Sequence, residues 1–474
     1  MVYRKIYNIM AKTIRQILMI EKNVPGRLRE YRAYKNDGAR QKLKKLFPAL
    51  FREDGFVFRE ITDTEIDAAF WNRIDTFAAN STDLFLLMEL LCGFDTALRN
   101  RMEMEIEIFG VCTAMHSLND NFAETEISLL PYTETFWERK SRGSQHSYEI
   151  NGLLKNFMYI DERELERYEV NRIQHILLNS FLFQPAIDKG YLRIGFSPLS
   201  RNLKLNISAY IRDHIRYFSV ENKENSKIIK QTVFSVLEKA KKEKVDILFF
   251  PEMIGSVELV AAVKEKLEEF FPEEEGEYPA LIILPSIWKD NENSTVILTR
   301  DGESVCIQKK QYPYDGPIEP GGERMLEDIE PDKTIHLIHC KGLGRMAVMI
   351  CKDFLAEKYL ELVLQILKAK LILVPSMSTG EYDFKTQANI CEHLDCCVLQ
   401  CNCCSAEIMV REDQRDKMNI IGYILKSGKN QNPRYVNVPA DGAAQILRPK
   451  RCREGGCEGA CLFWEDFFFD KDAG

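Results

Sequence analysis

The fold is decided by the stretch Gly344-Arg345-Met346-Ala347-Val348-Met349-Ile350-Cys351-Lys352-Asp353-Phe354. Its apolar part predicts a buried strand, and beyond Phe354 apolar residues recur at helical spacing as far as Leu367. A strand that ends in a cysteine and turns at once into a helix places the thiol at a sheet edge, beside free backbone N–H groups. The pattern therefore predicts that Cys351 is a nucleophile, because a helix N-terminus and nearby cations favour the thiolate.

Length and composition indicate two domains in a reducing compartment. The chain has 474 residues, of which 45% are hydrophobic and 29% charged, and this length is long for one domain. Fourteen cysteines would suit a disulfide scaffold only in a small secreted chain. The sequence shows no secretory leader and no apolar run near the ~18 residues of a membrane helix. We expect a cytoplasmic protein without membrane contact.

The net charge of −8 is unevenly distributed. Residues 1–50 hold 13 Lys and Arg against three acids, so this segment carries +10 and the remainder −18. A basic segment can contact nucleic acid or an acidic partner. The simpler interpretation, which we favour, is a solvated amphipathic helix.

Residues 1–186 are predicted to form a mainly α-helical domain of unassigned role. Apolar residues at helical spacing predict helices over Met1–Ile20, Asp83–Phe109 and Leu165–Phe183. No constellation in this half carries chemistry. Its histidines lack the spacing of metal ligands and are interpreted as core or surface residues: His116, His146 and His175.

After a short linker, residues 190–474 are predicted to form an α/β domain. Strands separated by helices argue for this class, and hairpins such as the one turning at Asp301-Gly302 add antiparallel pairs. The predicted helices are Asn222–Lys244 and Phe384–His393. The predicted strands are Leu192–Phe196, Val245–Phe250, Ala280–Leu284, Thr295–Thr299, Glu303–Gln308, Thr334–His339, Met346–Ile350, Leu371–Pro375 and Cys396–Cys401.

Glu252 follows a six-residue apolar strand in Phe249-Phe250-Pro251-Glu252-Met253. A carboxylate at the mouth of an apolar sheet is partly desolvated, which raises its pKa and suits a general base. The alternative is an exposed glutamate at a helix start, which is common after proline.

Lys309 and Lys310 end the strand that follows the Asp301-Gly302 turn. A lysine here can hold a developing oxyanion as a fixed cation. Strand alternation puts Val305 and Ile307 on the same face as Lys309, which favours Lys309 over Lys310.

The late cysteines do not predict a metal site. Neighbouring side chains of a strand point to opposite faces, and no pair of Cys-x-x-Cys spacings is present. The residues concerned are Cys391, Cys396, Cys397, Cys401, Cys403 and Cys404, with Cys452, Cys457 and Cys461 beyond them. We expect neither a metal nor a cofactor.

The segment Ile350-Cys351-Lys352-Asp353 resembles the Ile-Cys-Tyr-Asp signature of the nitrilase (carbon–nitrogen hydrolase) superfamily. That family uses a Glu, a Lys and a Cys in this chain order, and Pro251-Glu252 is similar to its Pro-Glu motif. The resemblance implies a four-layer α-β-β-α sandwich and a Glu252, Lys310 and Cys351 triad. The family carries Arg-Lys about seven and eight residues beyond a turn glycine. Counting from Gly302 puts Lys309 in the place of that arginine and Lys310 in the place of the catalytic lysine, and Lys309 stays open as the alternative.

The resemblance also assigns roles around the triad. Glu323 would be a second glutamate that orients the lysine or the attacking water, although its acidic segment is equally well explained as surface. Lys352 replaces the family's usual aromatic; its N–H would line the oxyanion hole and its ammonium would lower the thiol pKa. Asp353 would cap the helix.

The reaction implied is hydrolysis of a carbon–nitrogen bond in a small amide or nitrile, through a thioester and in a protein that forms dimers or larger homo-oligomers. Two further hypotheses stay open: a glutaminase-like subunit that passes ammonia to a partner, and an inactive nitrilase-like scaffold or sensor. Nitrilase-like domains also occur with bacterial defence reverse transcriptases, but this sequence has no Tyr/Phe-x-Asp-Asp polymerase motif.

Overall fold

The computed structural model describes residues 2–33, 37–53, 57–59, 67–99, 112–115, 126–133, 135, 149–199, 203, 205–221, 226–270, 278–318, 321–340, 342–379, 382–409, 420–426, 434–437 and 460–469. The chain divides into two compact units. The first comprises Met1–Thr133 and Ser141–Glu169, and the second comprises Glu134–Lys140 and Val170–Gly474.

The first unit is mainly helical, as predicted. Its helices are α1 (Val2–Asn23), α2 (Arg27–Ala33), α3 (Asp37–Leu46), α4 (Ala68–Asn80), α5 (Leu84–Ala97) and α6 (Arg163–Arg167). Its strands are β1 (Cys112–Met115), β2 (Ile127–Pro131) and β3 (Phe157–Asp161), and β2 pairs with β3 in antiparallel fashion. The predicted helix Asp83–Phe109 ends at Ala97, and its last ten residues lie outside the described part of the chain.

The apolar face of α1 forms part of the core of the first unit. Its buried members are Ile6, Ile9, Met10, Ile14 and Ile17. This confirms the predicted amphipathic helix. The basic residues Arg4 and Lys5 are exposed.

The second unit is α/β. Its helices are α7 (Gln184–Lys189), α8 (Ser226–Lys242), α9 (Val257–Phe270), α10 (Lys352–Leu355), α11 (Glu357–Glu361), which runs into a π-helical turn over Leu362–Ile366, and α12 (Tyr382–His393). Its strands are β4 (Arg172–Leu178), β5 (Tyr191–Phe196), β6 (Asn206–Arg212), β7 (Ile215–Glu221), β8 (Ile247–Phe249), β9 (Leu281–Ile283), β10 (Ile287–Lys289), β11 (Glu292–Thr299), β12 (Ser304–Lys309), β13 (Asp315–Pro317), β14 (Arg324–Glu327), β15 (Thr334–Cys340), β16 (Gly344–Val348), β17 (Leu371–Ser376), β18 (Cys397–Asn402), β19 (Ile420–Leu425), β20 (Arg434–Asn437) and β21 (Phe463–Phe468).

These strands form three sheets. In the first, β4, β15, β16, β17, β18, β19 and β20 lie side by side in that order, with β16, β17 and β18 parallel. The second has the order β10, β11, β9, β8, β5 and β21, with β12 beside β11 and with β5, β8 and β9 parallel. The third, smaller sheet has the order β13, β14, β7 and β6.

The first and second sheets face each other. A Cβ built on Gly422 of β19 would lie 3.1 Å from the ring of Phe196 on β5, so a glycine permits this close approach. The outer face of the second sheet shares a core with helices α8 and α9, through buried residues such as Val233, Val263 and Leu248. The predicted α/β class is therefore confirmed.

One predicted element is wrong. Leu165–Phe183 was expected to be a single helix, but Arg172–Leu178 is strand β4, which pairs in parallel with β15 from Arg172↔Thr334 to Leu177↔His339. Ile176, Leu177 and Leu178 are all buried. A strand buried on both faces shows no alternation, and a short run of this kind cannot be distinguished from a helix by periodicity.

No helix in the described ranges combines the length and the apolar character that a membrane span requires.

Candidate active site

The ends of three strands bring Glu252, Lys310 and Cys351 together. Glu252 lies three residues after β8, Lys310 directly after β12, and Cys351 three residues after β16. Lys310 Nζ lies 2.7 Å from Glu252 Oε1, and the Glu252 carboxylate lies close enough to the Cys351 thiol to raise its pKa. Since β8 belongs to the second sheet and β16 to the first, the site lies where strand ends of two facing sheets meet.

The two candidate lysines have different surroundings. Lys310 is only 2% exposed, whereas the Lys309 side chain is 27% exposed and pairs with Glu292 at 2.5 Å and with Asp332 at 3.7 Å. Strand alternation explains the difference, because Cys306 and Gln308 are buried on the same side as Lys310. The structure therefore places Lys310, and not Lys309, beside Glu252.

Glu323 is not part of the cluster, which corrects the expected position of the second glutamate. Its side chain is 75% exposed and pairs with Arg216. Glu327 lies there instead, with Oε2 2.6 Å from Lys310 Nζ and with 1% exposure. Glu323 precedes β14 at the surface, whereas Glu327 ends that strand beside β7, where Phe218 is its register partner. The segment contains several acidic residues, so the sequence did not indicate that Glu327 is the buried one.

Asn293 holds the two carboxylates in place, and the sequence analysis missed it. Its Nδ2 donates to Glu252 Oε1 at 3.0 Å and to Glu327 Oε1 at 2.8 Å. Its Oδ1 accepts a hydrogen bond from the Ser286 hydroxyl at 2.7 Å, and its backbone oxygen accepts one from Lys310 N–H at 2.7 Å. Its strand opens with the polar run Glu292-Asn293-Ser294-Thr295, so no signal in the sequence singled out Asn293.

Burial and charge set the protonation states of the pair. Burial raises the pKa of Glu252, and the Lys310 ammonium opposes this effect. Burial alone would lower the pKa of Lys310, but the carboxylates of Glu252 and Glu327 outweigh it and raise that pKa well above its ordinary value. Lys310 is therefore a permanent cation at neutral pH, and Glu252 is a carboxylate of increased basicity.

The pKa of the Cys351 thiol is raised well above its ordinary value. Burial is the main cause and the Glu252 charge adds to it, while Lys310 and the N–H of Met377 act in the opposite direction. The expectation that the Lys352 ammonium lowers the thiol pKa is wrong, because burial dominates and the cation that opposes it is Lys310. The Lys352 side chain is exposed, and its charge helps to lower the pKa of Asp315, after the larger effect of Arg324.

The backbone at Cys351 turns sharply, with φ of +48° and ψ of −99°. A residue other than glycine rarely adopts a positive φ, so hydrogen bonds around Cys351 must hold this turn. Cys351 N–H donates to Pro375 O at 2.8 Å. The buried Asp353 carboxylate accepts from the N–H groups of Gln311 at 2.9 Å and Tyr312 at 2.8 Å, and so connects this turn to the segment that carries Lys310.

Asp353 is thus a connector rather than a simple helix cap. Its Oδ2 also accepts from Ile350 N–H at 3.3 Å. Burial raises the pKa of Asp353 to about 7, and Lys310 and these N–H groups limit the shift.

The triad opens into a cavity of about 370 Å³. One wall consists of apolar and aromatic side chains on and next to the third sheet: Leu205, Ile207, Phe218, Val220, Tyr314 and Ile318. The methionines Met253, Met377 and Met409 complete the apolar lining. A concave apolar site with a few converging polar groups is typical of small-molecule binding.

The other cysteines do not assemble into a metal site where the structure describes them. Within the described ranges, no group of three or more His, Cys, Asp or Glu side chains could hold a metal ion. Cys391, Cys396, Cys397, Cys401 and Cys403 are buried free cysteines. His175 is also buried, and its Nδ1 lies 3.0 Å from His339 Nε2. His116 and His146, together with Cys452 and Cys457, lie outside the described residues.

Comparison with known proteins gives matches among solved structures only. No family model matches the sequence, and no curated protein matches it. The C. elegans NitFhit protein is 18% identical over 45% of this chain and 51% of its own, with a TM-score of 0.31. The similarity is to nitrilase-type structures.

Two further matches cover more of their own chains. An amidase from Nesterenkonia sp. is 14% identical over 45% of this chain and 76% of its own, with a TM-score of 0.31. A carbon–nitrogen hydrolase from Helicobacter pylori G27 is 15% identical over 45% and 73%, with a TM-score of 0.29. This chain therefore spans only about half the length of NitFhit and about three quarters of the other two.

Proposed function

We propose that the protein is a cysteine-dependent hydrolase of a non-peptide carbon–nitrogen bond, in a small amide or nitrile. The observation that carries this proposal is the buried Glu252–Lys310–Glu327 cluster with the Cys351 thiol beside its base, at the wall of an apolar cavity. A structural ion pair would need neither the thiol nor the cavity. The motif order along the sequence supports the same function.

The first step is attack by sulfur. Because the resting thiol is protonated, Glu252 accepts its proton as Sγ bonds to the carbonyl carbon. The carboxylate lies beside the thiol, so the proton can pass directly between the two groups. The carbonyl electrons move to oxygen and produce a tetrahedral oxyanion.

Lys310 stabilises that oxyanion. An ammonium has three N–H donors, and in the described structure Glu252 and Glu327 accept two of them. The third is available to the substrate oxygen. The N–H of Lys352 is the first of its short helix and has no partner inside that helix, so it can provide a second donor.

The second half of the reaction returns the enzyme to its starting state. Collapse of the tetrahedral species breaks the carbon–nitrogen bond, and the proton on Glu252 passes to the leaving nitrogen, so ammonia or an amine departs. Glu252 then removes a proton from water, whose oxygen attacks the thioester. The second collapse expels sulfur, which regains the proton, and releases the carboxylic acid.

Several expectations accompany this proposal and stay predictions. They are the four-layer arrangement of the α/β unit, self-association, cytoplasmic location and a weak contact of residues 1–50 with nucleic acid. The burial of the apolar face of α1 supports the simpler interpretation of residues 1–50, an amphipathic helix with a solvated basic face.

The test is a screen of primary amides and nitriles, read by ammonia release and by intact mass. We expect at least one compound to release ammonia and to add its acyl mass to Cys351. Cys351→Ala should abolish both signals, whereas Cys340→Ala, which removes another buried thiol, should keep them. Turnover by Cys351→Ala, or an adduct on another cysteine, would contradict the mechanism.

A further inference from the structure

We infer that the substrate carries an uncharged, apolar acyl group, so that the site selects aliphatic or aromatic amides or nitriles against amino-acid-like ones. This inference rests on the proposed function and adds a substrate class to it. It comes from the side chains around the cavity, not from the triad.

The wall opposite the triad is apolar. Leu205 and Ile207 are half-buried, while Phe218, Val220 and Ile318 are buried. Placing a charged substituent among these side chains would remove its hydration without providing a partner. An apolar substituent gains free energy there, at about 25 cal/mol per Å² of surface removed from water.

The methionines add adaptability to this wall. Met253, Met377 and Met409 line the same cavity as the triad, and Met377 N–H donates to Glu252 Oε2 at 3.1 Å. Unbranched thioether side chains repack around different apolar shapes. We therefore expect tolerance of chain length and branching within the apolar class.

The charge balance of the site works against an anionic substrate. Among the described side chains that line the cavity, only Glu252 and Lys310 are charged. With Glu327, the cluster contains two carboxylates and one ammonium, a net charge of −1. The Lys310 charge is shared between both carboxylates, so a substrate carboxylate would meet net repulsion in a desolvated site.

This argument disfavours the glutaminase hypothesis. Glutamine carries a carboxylate and an ammonium, and the described lining offers neither group a dedicated partner.

The experiment measures binding without turnover. Cys351→Ala protein is titrated calorimetrically with hexanamide and with succinamate, a primary amide of similar length that ends in a carboxylate. We expect hexanamide to bind at least 10-fold more tightly. Equal or tighter binding of succinamate, or no binding of hexanamide, would overturn the inference.

A matched pair of variants on one strand sharpens the test. In the Cys351→Ala background, Ile207→Arg places a cation on the cavity wall, whereas Ile211→Arg places one on an exposed position of the same strand. We expect Ile207→Arg to weaken hexanamide binding at least 10-fold and to strengthen succinamate binding, and Ile211→Arg to change neither. If Ile207→Arg keeps the original preference while its circular dichroism is native, the inference fails.

The two levels of the proposal fail in different ways. A preference for hexanamide without ammonia release or a Cys351 adduct in the wild-type chain would end the proposed reaction and keep the binding class. Hydrolysis of charged amides in preference to apolar ones would overturn the inferred substrate class and keep the proposed reaction.

Discussion

A buried carboxylate of the first unit, Asp95, and a buried pair in the second unit, Glu252 and Glu327, differ in what they bind. In the first unit Asp95 accepts hydrogen bonds from the backbone N–H groups of residues 155–157, at 2.9, 3.0 and 2.9 Å. In the second unit Glu252 and Glu327 share the ammonium of Lys310 and adjoin a thiol and a cavity. Asp95 therefore stabilises a backbone turn, whereas the second group provides charge to a space that a ligand can enter.

Burial alone does not separate these two cases, because Asp95 and Glu252 are both nearly inaccessible to water and burial raises the pKa of each. The partners do separate them. A carboxylate bound mainly by main-chain N–H groups has a structural role, because it satisfies buried donors. A carboxylate–ammonium cluster beside a nucleophile is typical of a catalytic site. The following predictions test that distinction, in order of expected effect.

Replacing Lys310 should have the largest effect. Lys310→Met removes the cation that would hold the oxyanion, and we expect the rate of acyl-enzyme formation to fall about 1,000-fold, equivalent to about 4 kcal/mol. Lys309→Met is the matched control and should stay within about twofold, because Lys309 pairs with Glu292 near the surface. Similar losses in both variants would remove the special role of Lys310.

Replacing Asp95 should affect stability and not catalysis. Asp95→Ala leaves three backbone N–H groups without their acceptor, and we expect the free energy of unfolding to fall by about 3 kcal/mol. Urea denaturation measures this, and turnover of the folded fraction should be unchanged. Asp67→Ala, which removes an exposed cap of α4, should cost only about 1 kcal/mol. A loss of turnover in folded Asp95→Ala protein would abolish the contrast drawn above.

Replacing Glu327 should have an intermediate effect on rate and a specific effect on pH dependence. We expect Glu327→Gln to lower kcat/KM about 30-fold, or about 2 kcal/mol, because Lys310 loses one carboxylate partner. The Glu327 charge also raises the pKa of Glu252, so the acidic limb of the pH–rate profile should move to lower pH in the variant. Glu323→Gln should leave rate and profile unchanged, and an unmoved acidic limb in Glu327→Gln would show that Glu327 has only a packing role.

The buried pair of His175 and His339 should produce the smallest effect. Burial, with the nearby His175 and Arg345, lowers the pKa of His339 well below its ordinary value. The unfolded chain therefore binds more protons below about pH 6.5, so this stabilisation is complete above that pH and is lost as the pH falls. Between pH 7.5 and 5.5 the loss should be about 1.4 kcal/mol in urea denaturation. His339→Gln should show a pH dependence that is smaller by this amount, and an identical dependence would exclude the pair as its source.

Much of the α/β unit could be predicted from the sequence because its central strands are continuous apolar runs next to polar turns. The Asp301-Gly302 turn and the Cys351 strand end are examples, and both lie where expected. Strand β4 could not be recognised, because its membership of the sheet depends on pairing with β15, about 160 residues away. The third sheet was also missed, although Ile207, Ala209 and Ile211 alternate with Ser208 and Tyr210 along the largely exposed β6.

The site could be predicted only in part for a related reason. Glu252, Lys310 and Cys351 follow strands, so position along the chain indicates them. Glu327 is separated from Glu323 by only four residues, and which of them turns inward depends on the pairing of β14 with β7. The direction of the Cys351 pKa shift was wrong because the sequence shows neighbouring charges but not the depth of burial.

The positive φ of Cys351 has a consequence for how this protein could change. Non-glycine residues in such backbone regions cost about 1–3 kcal/mol. Here the hydrogen bond that Cys351 N–H donates to Pro375 O, and those that the Asp353 carboxylate accepts, hold the geometry. The main chain thus fixes the direction of the Cα–Cβ bond from which the sulfur projects. The cavity wall belongs largely to a different sheet, so mutations could reshape it for a new acyl group and leave the attacking atom aimed as before.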